Sequence, residues 1–181
     1  MLLGFMEVES KFRIEDASAA RHALVAAGAS ALGGSFQEDC LLRHPGHDFR
    51  GRGEAFRVRH EEGSWRLTFK GPATNEGGSK ARLEQEVGVD ADPLPLLRSL
   101  GYEVAVRVAK RRESFQLGEA TVTLDHVDGL GWFAEVEVVC EDARAGAQRV
   151  ETALRRLGWQ DRPREVRTYP EMVAQIRAAR T

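Results

Sequence analysis

The sequence predicts one α+β domain of about seven or eight mostly antiparallel strands with helices packed outside them. Three observations predict it. Apolar and charged residues alternate with period two along many segments, the pattern of a strand with two unlike faces. Several such segments follow one another across short glycine-containing turns, as hairpin strands do. Between them lie a few stretches rich in helix formers and closed by glycine, which read as helices. At 181 residues the chain has the length of a domain that can bury its own core. No internal repeat, linker or low-complexity tract divides residues 1–181, so a single domain is expected.

Residues 5–13 alternate well enough to form the first strand, with Phe5, Val8 and Phe12 among its apolar members. Asp16 is a helix N-cap ahead of ASAARHALVAAG, whose Gly28 ends the helix. A second strand covers 35–43 and runs into HPGHDFRGRG, a Gly/Pro-rich loop. A hairpin follows: EAFRVRHE, a turn at Glu62-Gly63-Ser64, and WRLTFKG. After the loop PATNEGGS, KARLEQEVGV alternates again, and 92–100 is a short helix ending at Gly101. YEVAVRVAKRRESFQ and EATVTLDHV then pair as long strands around Leu117-Gly118. The segment DGLG turns the chain into a further strand, WFAEVEVVC. Residues 143–157 form an amphipathic helix closed by Gly158, and 170–180 a shorter final one.

Composition removes several function classes. With 26 Lys+Arg against 28 Asp+Glu the net charge is -2, so no global field recruits nucleic acid and any polyanion site must be local. The longest apolar stretches fall well short of the roughly 20 residues of a membrane span. The N-terminus lacks the basic start, apolar run and small-residue cleavage site of a signal peptide. Cys40 and Cys140 are the only cysteines, with no CxxC, so neither a disulfide framework nor a zinc site is expected. A cytoplasmic enzyme or binding protein is the expectation.

The charged residues share a parity. Alternate side chains of a strand point to opposite sides. One face therefore collects Glu7, Glu9 and Lys11; Arg57 and Arg59; Lys70, with Arg66 and Thr68; Arg82, Glu84 and Glu86; Lys110 and Arg112; Thr121, Thr123 and Asp125; Glu135 and Glu137. The other carries Phe56, Val58, Leu67, Phe69, Leu83, Val87, Val122, Leu124, Val136 and Val138. A sheet with one wetted face gives the same period, and alternation alone leaves both that reading and a functional lining open. Arg outnumbers Lys in the set, and Arg grips phosphate bidentately. If the strands curl into a closed or nearly closed barrel of about eight, the interior is narrow. Both signs of charge there would be costly unless ligands complete the network. Carboxylates suit Mg²⁺ or Mn²⁺, and Arg and Lys suit phosphate oxygens.

These motifs resemble a known family. EVESK matches the ExExK signature of the CYTH superfamily, the triphosphate tunnel metalloenzymes. The likeness continues in order through AFRVR, LTFKGP, RLEQE, AKRRESF, LDHVDGLGWFAEVE and VRTYPEM, almost the whole chain. The nearest likeness is to the class IV adenylate cyclase branch. The resemblance implies a closed antiparallel barrel enclosing a tunnel for a triphosphate. It implies that Glu7, Glu9, Glu135 and Glu137 hold divalent metal, Mg²⁺ or Mn²⁺, with Asp125 close to the catalytic ion. It implies a phosphate clamp of Lys11, Arg57, Arg59, Lys70, Arg82, Lys110 and Arg112, with Arg167 a further candidate. Glu84 and Glu86 would lie inside as metal or water-network partners, and Lys11, Asp125 and Glu135 would be catalytic. Substrates would be tripolyphosphate, ATP or thiamine triphosphate, and small members are often homodimers. Two departures stand out. The family's QxDxYF reads QEDCLL here, with Leu41 at the tyrosine position, and Leu2-Leu3-Gly4-Phe5 stands where the proteobacterial cyclases carry HF just ahead of ExExK.

Three functions follow as expectations: hydrolysis of a triphosphate, cyclisation of ATP to cyclic AMP and pyrophosphate, or polyphosphate binding without turnover. The acidic set argues against the last, because binding a polyanion needs only the bases. His44 and His47 read as solvated loop residues, His126 as packed outside, and Cys40 and Cys140 as inert core thiols. Trp65 and Trp132 read as core or rim residues, with stacking on a nucleobase at the tunnel mouth as their functional alternative. Gly129 and Gly131 belong to a turn, not a nucleotide loop, because no helix follows.

Overall fold

The structure, a computed structural model, describes residues 5–179. Its elements are β1 (Phe5–Ile14), α1 (Ala17–Ala26), β2 (Ser30–Arg43), β3 (Ala55–Glu61), β4 (Ser64–Lys70), β5 (Thr74–Glu76), β6 (Ser79–Val89), α2 (Leu94–Ser99), β7 (Glu103–Leu117), β8 (Ala120–Val127), β9 (Gly131–Cys140), α3 (Ala143–Leu157) and α4 (Tyr169–Ala178). The strands run in the order β1-β9-β8-β7-β2-β3-β4-β6, and β6 pairs back onto β1. Eight strands thus close an antiparallel barrel, and β5 is a short extra strand paired to β6. The expected α+β barrel with outer helices is the observed fold.

Local chemistry explains most boundaries. The Asp16 carboxylate accepts the Ser18 and Ala19 N–H groups at the start of α1, and Gly158, at φ 68°, ends α3. The β3–β4 turn is tighter than expected. Glu62 and Gly63 both have positive φ (48° and 82°), as in a two-residue type I′ turn, so Ser64 already belongs to β4. β2 begins at Ser30 rather than 35, because its Gly-rich start is held by the long β7 across a bulge between Ala31 and Gly33. The segment expected as the loop PATNEGGS forms the β5–β6 hairpin over Gly77-Gly78. The last helix starts at Tyr169; its expected end at Arg180 lies outside the described residues, as do Leu2, Leu3 and Gly4.

The apolar core lies outside the barrel. Val8, Phe12, Val122, Leu124 and Val136 point outward beneath α1 and α3, where Leu24, Leu154 and Trp159 cover them. α2 lays Leu94 and Leu97 on Cys40, Leu42 and Val58. α4 packs differently. Its Tyr169 and Met172 meet Val108, Val127 and Phe133, which share the parity of Lys110, Asp125 and Glu135 and so face inward. One end of the interior is therefore apolar and covered by α4.

Candidate active site

Closure of the barrel turns the charged parity into an inner wall. Acids concentrate on β1, β8 and β9: Glu9 lies directly across from Glu137, and Lys11 from Glu135. Arg112 lies across from Asp125, and Thr123 from Glu135. On the facing side Arg57 pairs with Thr68, Lys70 with Glu84, and Glu7 with Arg82. Every strand residue expected at the site has this inward parity. Burial grades along the wall. Side-chain exposure is 0% at Asp125, 3% at Lys110 and 7% at Lys11, rising to 19% at Lys70, 38% at Glu86 and 50% at Arg66. The deep end lies beside α4, and the more exposed charges are Arg66 and Glu86 at one end of β4 and β6.

At the deep end Asp125 is saturated by donors. Its Oδ2 accepts from Lys110 Nζ (2.8 Å), Arg112 Nη2 (2.6 Å) and Tyr169 Oη (3.0 Å), and its Oδ1 from Arg112 Nε (2.7 Å). Glu135 is shared between Arg112 (2.6 Å) and Lys11 (3.2 Å). Burial opposes ionisation of Glu135, yet the charges of Lys11 and Arg112 outweigh it and hold the carboxyl well below its usual range. Burial, then Arg112, pushes Lys110 down to about 8 against the pull of Asp125. This end is a preset basic pocket with its carboxylates ionised.

The neighbouring carboxylates behave in the opposite way. Burial, and then the charge of Glu7, pushes Glu137 up to about 8. Burial likewise raises Glu9, with Glu135 adding to it, and Glu7, which Lys70 at 3.8 Å only partly offsets. Like charges across a ladder destabilise each other, so Glu7, Glu9 and Glu137 are buried carboxylates whose mutual repulsion a cation would relieve. Carboxylate oxygens of this kind suit Mg²⁺ or Mn²⁺. Among the described residues, however, no three His, Cys, Asp or Glu side chains are gathered closely enough to hold an ion.

On the basic side Asp39 neutralises the arginines. Arg59 grips it through two bonds of 2.7 and 2.8 Å, and Arg57 stands 3.7 Å away. Despite burial, Arg57 and Arg59 hold the Asp39 carboxyl far below its usual range. Lys70 is bonded to Glu84. Arg57 Nε and Thr123 Oγ1 are buried without a protein partner on inward positions. A buried unpaired guanidinium N–H is a seat for an anion oxygen.

Some expectations are placed elsewhere. Arg82 has the inward parity but donates its guanidinium to the Gly71 carbonyl at 2.8 and 3.1 Å. The Arg167 side chain is exposed and bound to Glu165; only its carbonyl reaches the site, accepting from Lys11 Nζ at 3.4 Å. Trp65 and Trp132 sit on the outer parity, away from the interior, against His60 and His126. His47 bonds Glu54 at 2.6 Å and His44 contacts the Leu100 carbonyl, both off the barrel interior. Three site residues escaped the sequence reading: Asp39, Lys80 and Tyr169. Asp39 was legible in principle, since it alternates with Gln37 in QEDCLL and lies across from Arg59. Lys80 follows the parity of Arg82 and pairs with Glu9. The chain's four lysines, Lys11, Lys70, Lys80 and Lys110, all occupy inward positions. Tyr169 gave no parity signal, because it comes from a helix.

Comparison with known proteins finds the CYTH domain model matching residues 6–169. A protein of Methanocaldococcus jannaschii is 33% identical over 139 residues, spanning 76% of this chain and 79% of that one. The adenylate cyclase CyaB of Aeromonas hydrophila is 30% identical over 179 residues, spanning 95% and 91%. Among solved structures, the PH1819 protein of Pyrococcus horikoshii superposes with a TM-score of 0.81 at 30% identity, covering 94% of this chain and 99% of its own.

Proposed function

The chain belongs to the CYTH domain family, and from that premise we propose a divalent-metal-dependent phosphoryl-transfer enzyme that hydrolyses a triphosphate held inside the barrel. The observation that carries this reading is the division of one wall into mutually repelling carboxylates and facing basic side chains, among which Arg57 Nε has no protein partner. The terminal phosphate would enter first and seat against Lys11, Lys110 and Arg112, because the far end is covered by α4. Arg57, Arg59 and Lys70 would hold the outer phosphates, and Thr123 would offer a hydroxyl beside Glu135. Glu7, Glu9, Glu135 and Glu137 would hold the divalent ion, whose chemistry is neutralisation of phosphate charge as it redistributes. The protein's part is then positioning and preorganised charge, with water excluded from the deep end. Among the described residues, inward strand positions carry no aromatic side chain between Phe5 at the rim and Phe133 under α4, so the wall makes little demand on an organic group.

A second reading is the cyclase, in which the ribose 3′-hydroxyl attacks the α-phosphorus of ATP and pyrophosphate leaves. The name of the Aeromonas relative supports it. One assay separates the readings. Purified protein with Mg²⁺ or Mn²⁺ is given tripolyphosphate, ATP and thiamine triphosphate, and orthophosphate, pyrophosphate and cyclic AMP are measured. Orthophosphate release is the expected result. Cyclic AMP without orthophosphate overturns hydrolysis in favour of the cyclase, and no turnover of any substrate overturns both.

A further inference from the structure

The C-terminal segment does more than cover one end of the barrel. Arg164 bridges to Phe12 of β1, and the Glu165 N–H donates to the Lys11 carbonyl at 2.8 Å. Thr168 then caps α4 in a reciprocal capping box with Glu171, which fixes where Tyr169 enters. Tyr169 is 7% exposed. Its ring lies 4.3 Å from Lys11 Nζ and 5.1 Å from Lys110 Nζ. Its hydroxyl donates to Asp125, the carboxylate that also pairs Lys110 and Arg112. One side chain from a distant part of the sequence therefore touches three groups of the deep end.

Both ammonium groups stand near one ring and carry like charge. The π-system of a ring attracts a cation electrostatically while accepting no conventional hydrogen bond, so it leaves the N–H groups available. A carboxylate in the same place would take those protons and repel a phosphate, and an aliphatic side chain would leave the two ammonium groups held by Glu135 and Asp125 alone. We propose that Tyr169 is a positioning residue that holds Lys11 and Lys110 together and so sets the innermost phosphate seat of the barrel. The inference rests on the barrel being a triphosphate site, yet it concerns ammonium placement and is measured without turnover.

Because all four lysines face inward, full-length protein labelled with ¹³C at lysine Cε reports on the barrel alone. In the wild type two of the four ε-methylene signals should be displaced upfield by the tyrosine ring. They should remain so in Y169F and join the others in Y169L. Metal-free calorimetry with inorganic tripolyphosphate should show Kd raised about ten-fold in Y169L and by less than about three-fold in Y169F. Met172 packs in the same apolar cluster as Tyr169 but brings no aromatic face or hydroxyl, so M172A should change Kd by less than about three-fold. Wild-type lysine signals with no upfield pair overturn the proposal. So does a folded Y169L with wild-type affinity, or an M172A as impaired as Y169L. If Y169L does not fold, the wild-type spectrum and the Y169F and M172A affinities decide. Protein that binds tripolyphosphate but turns over no triphosphate removes the activity proposed above and leaves this inference standing. Displaced lysine signals without tripolyphosphate binding overturn the phosphate seat.

Discussion

Glu135 shows what one residue of this wall carries. It is bound by Lys11 and Arg112 at once and is buried, so Glu135→Gln leaves buried Lys11 without its carboxylate and Arg112 with Asp125 alone. Breaking a buried pair of this kind costs about 3–5 kcal/mol. In a chain of this length that lowers Tm by on the order of 10 °C, read by scanning fluorimetry, and turnover should fall by on the order of 10²-fold or more. A variant with wild-type activity would remove Glu135 from the site. Asp39 gives a pH signature. Its carboxyl is depressed in the folded state, so its contribution is present above the unfolded value near 4 and is lost as pH falls below it. Asp39→Asn should therefore be less stable than wild type at neutral pH, and the Tm gap should narrow below about pH 4. The parity argument found the strand residues because each strand repeats its own register. It missed Tyr169 because nothing in a helix's period says which barrel end it will cover. The family resemblance, which supplied Arg167, placed it too deep, because a backbone carbonyl, not the guanidinium, is what reaches Lys11.

At the scale of elements, the β1–β9 ladder is the place where metal should act. It brings Glu9 opposite Glu137 and Glu7 nearby, and burial with these neighbouring charges pushes Glu137 up to about 8. A raised carboxyl is protonated below that value, and a cation must expel the proton to bind. The Tm increase from millimolar Mn²⁺ should therefore be larger at about pH 8.5 than at about pH 6.5. An increase that shrinks with pH would count against this donor set. The outer face of the same ladder constrains α3. A Cβ on Gly146 would stand 2.5 Å from Cys140 Sγ and 2.8 Å from Val8 Cγ2. Gly146→Ala should cost about 1–3 kcal/mol by overpacking, measurable by urea unfolding. Most elements were legible from alternation and caps. The start of β2 and the whole of β5 were not, since Gly-rich stretches have little strand preference of their own and are ordered by β7 and β6.

At the scale of the molecule, alternation predicts strands but not whether a sheet closes, because a wetted open sheet has the same period. Closure here is carried by the β1–β6 pairing, a contact between residues more than seventy positions apart, and ordered motifs rather than periodicity made it expected. The closed barrel should gain stability from its ligand by mass action. Tripolyphosphate at about 100 times its Kd adds roughly 2.7 kcal/mol, seen as a Tm rise that orthophosphate at equal concentration does not match. The reason lies in the ion pairs that fill the barrel. Asp39 already occupies Arg59 and Glu84 already occupies Lys70, so an incoming anion must evict a resident one from these two seats. Entry is a swap, and a swap favours guests that can displace several tenants together. A chain of three linked phosphates can do so, whereas each separated fragment faces the returning carboxylates alone. On the proposed hydrolysis, the protein's own acids would then be the force that clears the barrel after the bond is cut.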